Sequence, residues 1–198
     1  VDPVIRVAFV GAGKMARQHV HALRRVRTPH VVVGVCDAAR GPARALATQV
    51  GAAPYTALSE LLERERPDIV HVCTPAGRHA AVARAVLEAG AHVYVEKPFV
   101  EAEHEARELI ALAASAGRRI CAGHQQVRDP AYTRLIRRLP ELGAVVQVDS
   151  DFAFNPANVN LRTAGPPALA AQLLDILPHP LSTLLDALER VRSEAGPL

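Results

Sequence analysis

Residues 5–16 read Ile5-Arg6-Val7-Ala8-Phe9-Val10-Gly11-Ala12-Gly13-Lys14-Met15-Ala16. An apolar, β-branched run of strand length enters a pair of glycines, and helical periodicity follows. A helix N-terminus presents unpaired N–H groups and roughly half a positive charge, so it attracts a phosphate. In that arrangement Gly11 allows the tight turn, Gly13 lets the backbone approach a pyrophosphate, and Ala16 packs the helix on the strand. The stretch therefore predicts a strand, a phosphate-binding turn and a helix over Lys14–Arg25.

The same alternation continues outward. Strand-like runs at Val31–Cys36, Ile69–Cys73, His92–Val95 and Arg119–Ala122 are separated by helical runs at Pro42–Val50, Ala57–Glu65, Arg78–Ala89 and Glu101–Ala116. Gly51, Gly90 and Gly117 stand where three of those helices should stop. Strands alternating with helices imply crossover units and a parallel sheet covered on both faces, and continuously apolar strands agree with that. Residues 1–123 are thus expected to form one Rossmann-type, doubly wound α/β domain. Residues 124–198 read differently: a helix at Pro130–Arg138, one long strand at Ala144–Phe154, an Asn- and Pro-rich loop, and a helix or helix pair over Ala168–Arg190. One strand is not a sheet, and its bare edges need partners. The second portion is therefore expected to be an incomplete α+β unit, completed by further chain or by a second copy.

Composition excludes several classes. No apolar run approaches the ~20 residues that span a membrane, and Val1-Asp2-Pro3 shows no basic-then-apolar leader, so the cytoplasm is the expected compartment. The net charge of +3 comes from arginines interleaved with glutamates, and aromatic residues are only 4%. That balance describes a solvated surface and argues against nucleic acid. Cys36, Cys73 and Cys121 are widely spaced and end apolar runs, which predicts buried reduced thiols and neither a disulfide nor a metal site. Of 23 basic residues only two, Lys14 and Lys97, are lysine. Lysine is a compact charge whose proton can move, which arginine's cannot, so a chemical role for one of the two is favoured.

In an open α/β sheet the ligand lies at the carboxyl ends of the strands, near the switch in strand order. Asp37, 21 residues beyond Ala16, ends the second strand, where a carboxylate takes ribose hydroxyls and repels a 2′-phosphate. NAD is favoured over NADP, although Arg40 could reverse that preference, and loss of Asp37 is expected to weaken NAD far more than NADP. Cys73-Thr74-Pro75-Ala76-Gly77-Arg78-His79 ends the next strand and opens a helix; Thr74 can offer a hydroxyl, while His79 alone reads more readily as a packing or capping histidine. Val95-Glu96-Lys97-Pro98 places a lysine and a glutamate at the mouth of the cleft, where Lys97 can hold a carbonyl or hydroxyl and steady developing charge.

Together these pieces resemble the Gfo/Idh/MocA oxidoreductase family. They are Gly11-Ala12-Gly13-Lys14-Met15-Ala16 with His19, Asp37, Thr74-Pro75 with His79, Glu96-Lys97-Pro98, Gly123-His124-Gln125 and Asp129-Pro130-Ala131-Tyr132. The resemblance implies hydride transfer between a nicotinamide dinucleotide, NAD or NADP, and a hydroxyl or carbonyl carbon of a small-molecule substrate such as a sugar or cyclitol. It implies cofactor contacts at Gly11, Gly13, Lys14, Met15, Asp37, Thr74, Pro75, His79, Glu96 and Gln125, and gives Lys97 the role of orienting substrate and assisting proton transfer. Asp175 and His179, four residues apart on one helix face, match the family's Asp and His that orient and perform proton removal. The chain departs from the family pattern at Ala76, Val127, Leu177, Pro178, Pro180 and Ser182, which bears on substrate recognition rather than on the cofactor site. Two other classes fit parts of the pattern: a dinucleotide-binding regulatory or interaction module without turnover, and a methyltransferase using S-adenosylmethionine, the latter disfavoured by Glu96-Lys97-Pro98.

Overall fold

The computed structural model describes residues 3–142, 147–150 and 177–195. Two compact units divide the chain, residues 1–123 and 124–198. In the first, six strands form one parallel sheet: β1 (Ile5–Val10), β2 (His30–Cys36), β3 (Ala53–Tyr55), β4 (Ile69–Val72), β5 (His92–Val95) and β6 (Ile120–Ala122), in the order β3-β2-β1-β4-β5-β6. Helices α1 (Lys14–Leu23), α2 (Arg40–Val50), α3 (Leu58–Glu65), α4 (His79–Glu88) and α5 (Glu103–Ser115) connect them. This is the doubly wound Rossmann architecture. Strand order reverses between β1 and β4, which is where such sheets open a crevice.

β1 is buried on both faces because its residues alternate between two cores. Ala8 and Val10 join Val70, Val72, Val86, Leu87 and Leu109 on one face. Val7 and Phe9 join Ala16, Val20, Val35 and Leu46 on the other. Phe9 is fully buried, so truncating it to alanine should cost roughly 3–5 kcal/mol. The anticipated stops at Gly51, Gly90 and Gly117 all carry positive φ, with values of 70°, 82° and 62°.

In the first unit the expected elements recur with their ends shifted by a residue or two. One strand was not anticipated: β3 contains Pro54 and is three residues long. It lies at the sheet edge, the place where a strand tolerates a residue without an N–H. The opposite edge strand, β6, leaves Cys121 exposed, which corrects the expectation that all three thiols are buried. Burial and the Asp37 carboxylate push the Cys36 thiol up to about 11, and burial with Glu96 raises Cys73 as well.

In the second unit, α6 (Pro130–Arg138) starts where Asp129 accepts from the Ala131 and Tyr132 amides, with Pro130 in the first turn. This is a complete N-terminal cap. A last helix, α7, spans Pro178–Ala195. The Tyr132 hydroxyl lies 2.6 Å from the Thr183 carbonyl and 3.0 Å from Asp186 Oδ2, joining α6 to α7, and burial followed by the Asp186 bond pushes its pKa up to about 12. The strand expected at 144–154 lies mostly outside the described residues, and the four that are described, 147–150, belong to no regular element. The sheet edge on which association with a second copy was expected also lies outside them. Among the described residues no helix is long and apolar enough to cross a membrane.

Candidate functional site

A cleft of about 600 Å3 opens at the carboxyl ends of β1, β2 and β4, and its walls include Gly11, Gly13, Lys14, Met15, Asp37, Thr74, Pro75 and Arg78. Seven of the ten residues expected to touch a cofactor therefore line one cavity. The register explains the convergence: Val10 pairs with Cys36 on one side and with Val72 on the other, so the three strands end level. Arg78 was not anticipated, although a basic residue between a strand end and a helix start is the signal that could have found it.

The glycine turn is built for close approach on both of its sides. Gly11 has φ +92, and a Cβ there would stand 2.5 Å from the Cys73 carbonyl oxygen, so the turn is pressed against the β4 loop. Gly13 has an ordinary φ of −77, and a Cβ there would meet nothing within 4 Å. The space it leaves is cleft. No side chain caps α1 and its first turn holds no acidic residue, so the helix offers its N-terminal amides to a ligand. Asp37 fixes this arrangement: Oδ2 accepts from the Ala12 amide at 2.7 Å and Oδ1 from the Ala39 amide at 2.8 Å. It thus builds the turn as well as facing the cleft, which changes the expectation that its loss would spare NADP.

One polar atom of the cleft has no partner. The Thr74 hydroxyl is buried and unpaired, and a buried hydroxyl left so costs about 1–3 kcal/mol. An orphan hydroxyl, an open cradle at Gly13 and uncapped amides on α1 are together what a dinucleotide diphosphate and its neighbouring groups need, so the residues present fit that cofactor. A larger groove, about 850 Å3, lies between α3 and the last turns of α4 and reaches Pro67 and Asp68, at the amino end of β4 and away from the phosphate-binding turn.

Glu96 and His79, both expected at the cofactor, are instead inside the protein, 3% and 1% exposed. Glu96 Oε1 lies 2.7 Å from His19 Nε2 and Oε2 accepts from the Lys97 amide at 3.1 Å. The carboxylate thus ties the second turn of α1 to the residue that begins the β5 loop. His19 continues the chain of bonds to His71, Nδ1 to Nδ1 at 3.0 Å. The register sets Phe9 beside His71 and His71 beside Tyr94, and the His71 ring stacks between the two at centroid distances of 4.9 and 5.2 Å. Burial, and secondarily His19, lower the His71 pKa to about 3, so His71 is neutral at physiological pH. Sequence reading missed this network; its signal is a histidine set within the apolar run of β4.

Lys97 is half-buried on the loop after β5. Val72 pairs with Val95, so Lys97 and Thr74 each stand two residues past paired positions on adjacent strands, which run about 4.8 Å apart. Gln125 lies in a short 3-10 turn of the second unit, Gln125–Arg128. His179 lies in the first turn of α7, where its carbonyl accepts from Ser182 Oγ at 3.0 Å. Asp175 lies outside the described residues. Among the described residues no group of three or more His, Cys, Asp or Glu is placed to hold a metal.

Known proteins share this arrangement. Residues 5–124 match the Gfo/Idh/MocA family, described as an oxidoreductase family with an NAD-binding Rossmann fold. Inositol 2-dehydrogenase 1 of Saccharopolyspora erythraea is 33% identical over 138 residues, 68% of this chain and 41% of that protein. The crystal structure of GenD2 from gentamicin A biosynthesis in complex with NAD superposes with a TM-score of 0.69 at 32% identity, covering 75% of this chain and 42% of GenD2. The WlbA dehydrogenase of Bordetella pertussis, in complex with NADH and UDP-GlcNAcA, gives 0.68 at 28% identity, covering 74% and 42%. The chain spans from a third to about a half of the length of the curated relatives it matches, for example 51%, 41% and 33% of three of them.

Proposed function

The chain belongs to the Gfo/Idh/MocA family of oxidoreductases with an NAD-binding Rossmann fold, and from that premise we propose that it serves an NAD-dependent dehydrogenase or reductase acting on a small polyhydroxylated substrate, a cyclitol or a sugar or its nucleotide-linked form. The observation that carries this reading is the cleft: an uncapped helix N-terminus behind Gly13 and an unpaired Thr74 hydroxyl in one cavity. Asp37 supports NAD over NADP, because a carboxylate accepts from ribose hydroxyls and repels a 2′-phosphate. The substrate class rests on relatives that are inositol and sugar-nucleotide dehydrogenases.

When bound, the nicotinamide supplies hydride acceptance or donation. The chain's residues supply the rest. The amides of the glycine turn hold the diphosphate and Asp37 orients the adenosine ribose. The Lys97 ammonium donates to the substrate oxygen and so favours the charge that grows there as the carbon changes oxidation state. His179, with Asp175 as orienting carboxylate, takes or returns the hydroxyl proton. Residues 124–198 are the beginning of the substrate and oligomerisation domain in this reading.

The test has two arms. NADH fluorescence titration should show saturable binding to the chain, tighter than NADPH; no signal with either nucleotide refutes the proposal. Nicotinamide absorbance with a panel of myo-inositol, simple sugars and UDP-sugars should report turnover that Lys97→Ala lowers at least 100-fold with NADH affinity retained. Retained turnover in Lys97→Ala would show that the ammonium does not face the substrate.

A further inference from the structure

Among the described residues, His79 at 1% and Glu96 at 3% exposed are the fully buried polar or charged side chains. The His79 ring stands between two main-chain carbonyls: Nε2 is 2.8 Å from the Thr74 oxygen and Nδ1 is 2.8 Å from the Pro98 oxygen. A carbonyl oxygen only accepts. A neutral imidazole has one N–H and one bare lone pair, so it satisfies one of these oxygens and sets lone pair against lone pair at the other, in a place water does not reach. Only the ring with both nitrogens protonated completes both bonds.

From this geometry we propose that His79 is a buried imidazolium crossbrace. Its two N–H groups, donated in opposite directions, hold the loop after β4 and the loop after β5 at a fixed separation. The first of those loops carries the unpaired Thr74 hydroxyl and the second carries Lys97. His79 is therefore a positioning residue for both and touches neither cofactor nor substrate. On the near side of Lys97 the Glu96–His19 pair does the complementary task through the Lys97 amide. The turn bearing the lysine is thus tied from both ends.

The charges around the ring divide. The N-terminus of α4, with Arg78 beside it, opposes the cation. The buried Glu96 carboxylate precedes Lys97, and the Glu101 carboxylate approaches Gly77, 3.5 Å from where its Cβ would be. Two charge-assisted bonds, each about twice the strength of a neutral one, supply the remainder. No other side chain donates from opposite ends of a rigid ring, so no substitution should restore both bonds.

The experiment is NMR on the chain with 15N-labelled histidine, at neutral pH and without substrate. The His79 signals, assigned by backbone-to-ring correlations in a uniformly 13C,15N-labelled sample of the unaltered chain, should show both ring nitrogens protonated and both N–H protons slow to exchange. A bare ring nitrogen overturns the proposal, and because this is read on the unaltered protein it stands even if the variant does not fold. The second readout uses the fact that Lys14 and Lys97 are the only lysines. With 13C-labelled lysine, His79→Gln should move the Lys97 ε-carbon signal and leave that of Lys14 in place. An unmoved Lys97 signal in a folded variant refutes the positioning role. That role rests on Lys97 as the substrate lysine, whereas the ring's protonation is read independently of it. Failure of the functional reading, seen as turnover in Lys97→Ala, is therefore distinguishable from failure of the crossbrace.

Discussion

Gly11 and Gly13 are separated by one residue, yet replacing each with alanine should fail in opposite ways. At Gly11 the added methyl would stand 2.5 Å from the Cys73 oxygen, 2.6 Å from its carbonyl carbon and 2.9 Å from the Thr74 nitrogen. All three atoms are backbone and cannot rotate away. The φ of +92 adds about 1–2 kcal/mol for any residue with a Cβ. The overlap adds about 1–3 kcal/mol as the turn is forced off the β4 loop. The neighbouring bonds resist that displacement: the Gly11 amide to the Cys36 carbonyl at 2.7 Å and the Cys73 amide to the Val10 carbonyl at 2.7 Å. The total is about 2–5 kcal/mol. For a chain of this size about 2–4 °C of melting temperature accompany each kcal/mol, so Gly11→Ala should melt roughly 5–20 °C lower. Gly13→Ala puts its methyl into open space at an ordinary φ, so its melting point should stay within about 2 °C while NADH affinity falls at least 10-fold. Scanning calorimetry and NADH titration on the two variants decide the matter. A Gly11→Ala protein with unchanged melting and unchanged binding would refute the reading of the turn, as would a Gly13→Ala protein that binds normally.

The remaining predictions concern the polar interior. His71, with a folded pKa of about 3 against an ordinary 6.5, binds no proton in the fold where the unfolded chain does; its contribution is complete above pH 6.5 and is lost as pH falls toward 3. The slope is about 1.4 kcal/mol per pH unit, or about 2 kcal/mol by pH 5, and urea unfolding of His71→Phe should lack it; an equal slope in the variant would assign the acid sensitivity elsewhere. His19→Leu strands the Glu96 carboxylate, 3% exposed, and should cost about 3–5 kcal/mol in thermal denaturation, with Glu96→Gln costing less because the amide oxygen can still accept from His19. Equal losses in the two variants would show that the stranded charge is not the cause. Asp37→Ala removes the acceptor of the Ala12 amide, in a residue 2% exposed, and should lower stability by about 1–3 kcal/mol and weaken both nucleotides, NADH more than NADPH because the ribose acceptor is lost as well; an unchanged NADPH affinity would mean that the carboxylate serves the ribose alone.

The order of elements was legible because each signal is local: a β-branched run, a glycine pair, a helix stop. Asp37, Thr74 and Pro75 could be placed at one cleft because each ends a strand, and parallel strands ending level bring their ends together. β3 was missed because three residues around a proline make no periodic signal. Glu96 and His79 were assigned to the wrong surroundings for a different reason. They occupy motif positions beside residues that line the cleft, and a motif records neighbourhood along the chain without recording which way a side chain turns. Glu96 follows the buried Val95 directly, and its partner His19 lies 77 positions away. That pairing depends on His19 of α1 reaching His71 of β4 and Tyr94 of β5, which no local pattern encodes.

The polar interior carries a consequence for how the parts of the cleft stay in register. An apolar pair of similar volume in place of Glu96 and His19 would be as stable or more so, so stability alone does not account for a buried charge there. What a carboxylate adds is direction. It accepts along defined lone pairs, one toward α1 and one toward the Lys97 amide, where a leucine would pack equally well in several settings. The helix that follows the glycine turn and the loop that bears Lys97 are thereby held through a single carboxylate. Any displacement of α1 would reach Lys97 through two hydrogen bonds rather than through the deformable packing of side chains.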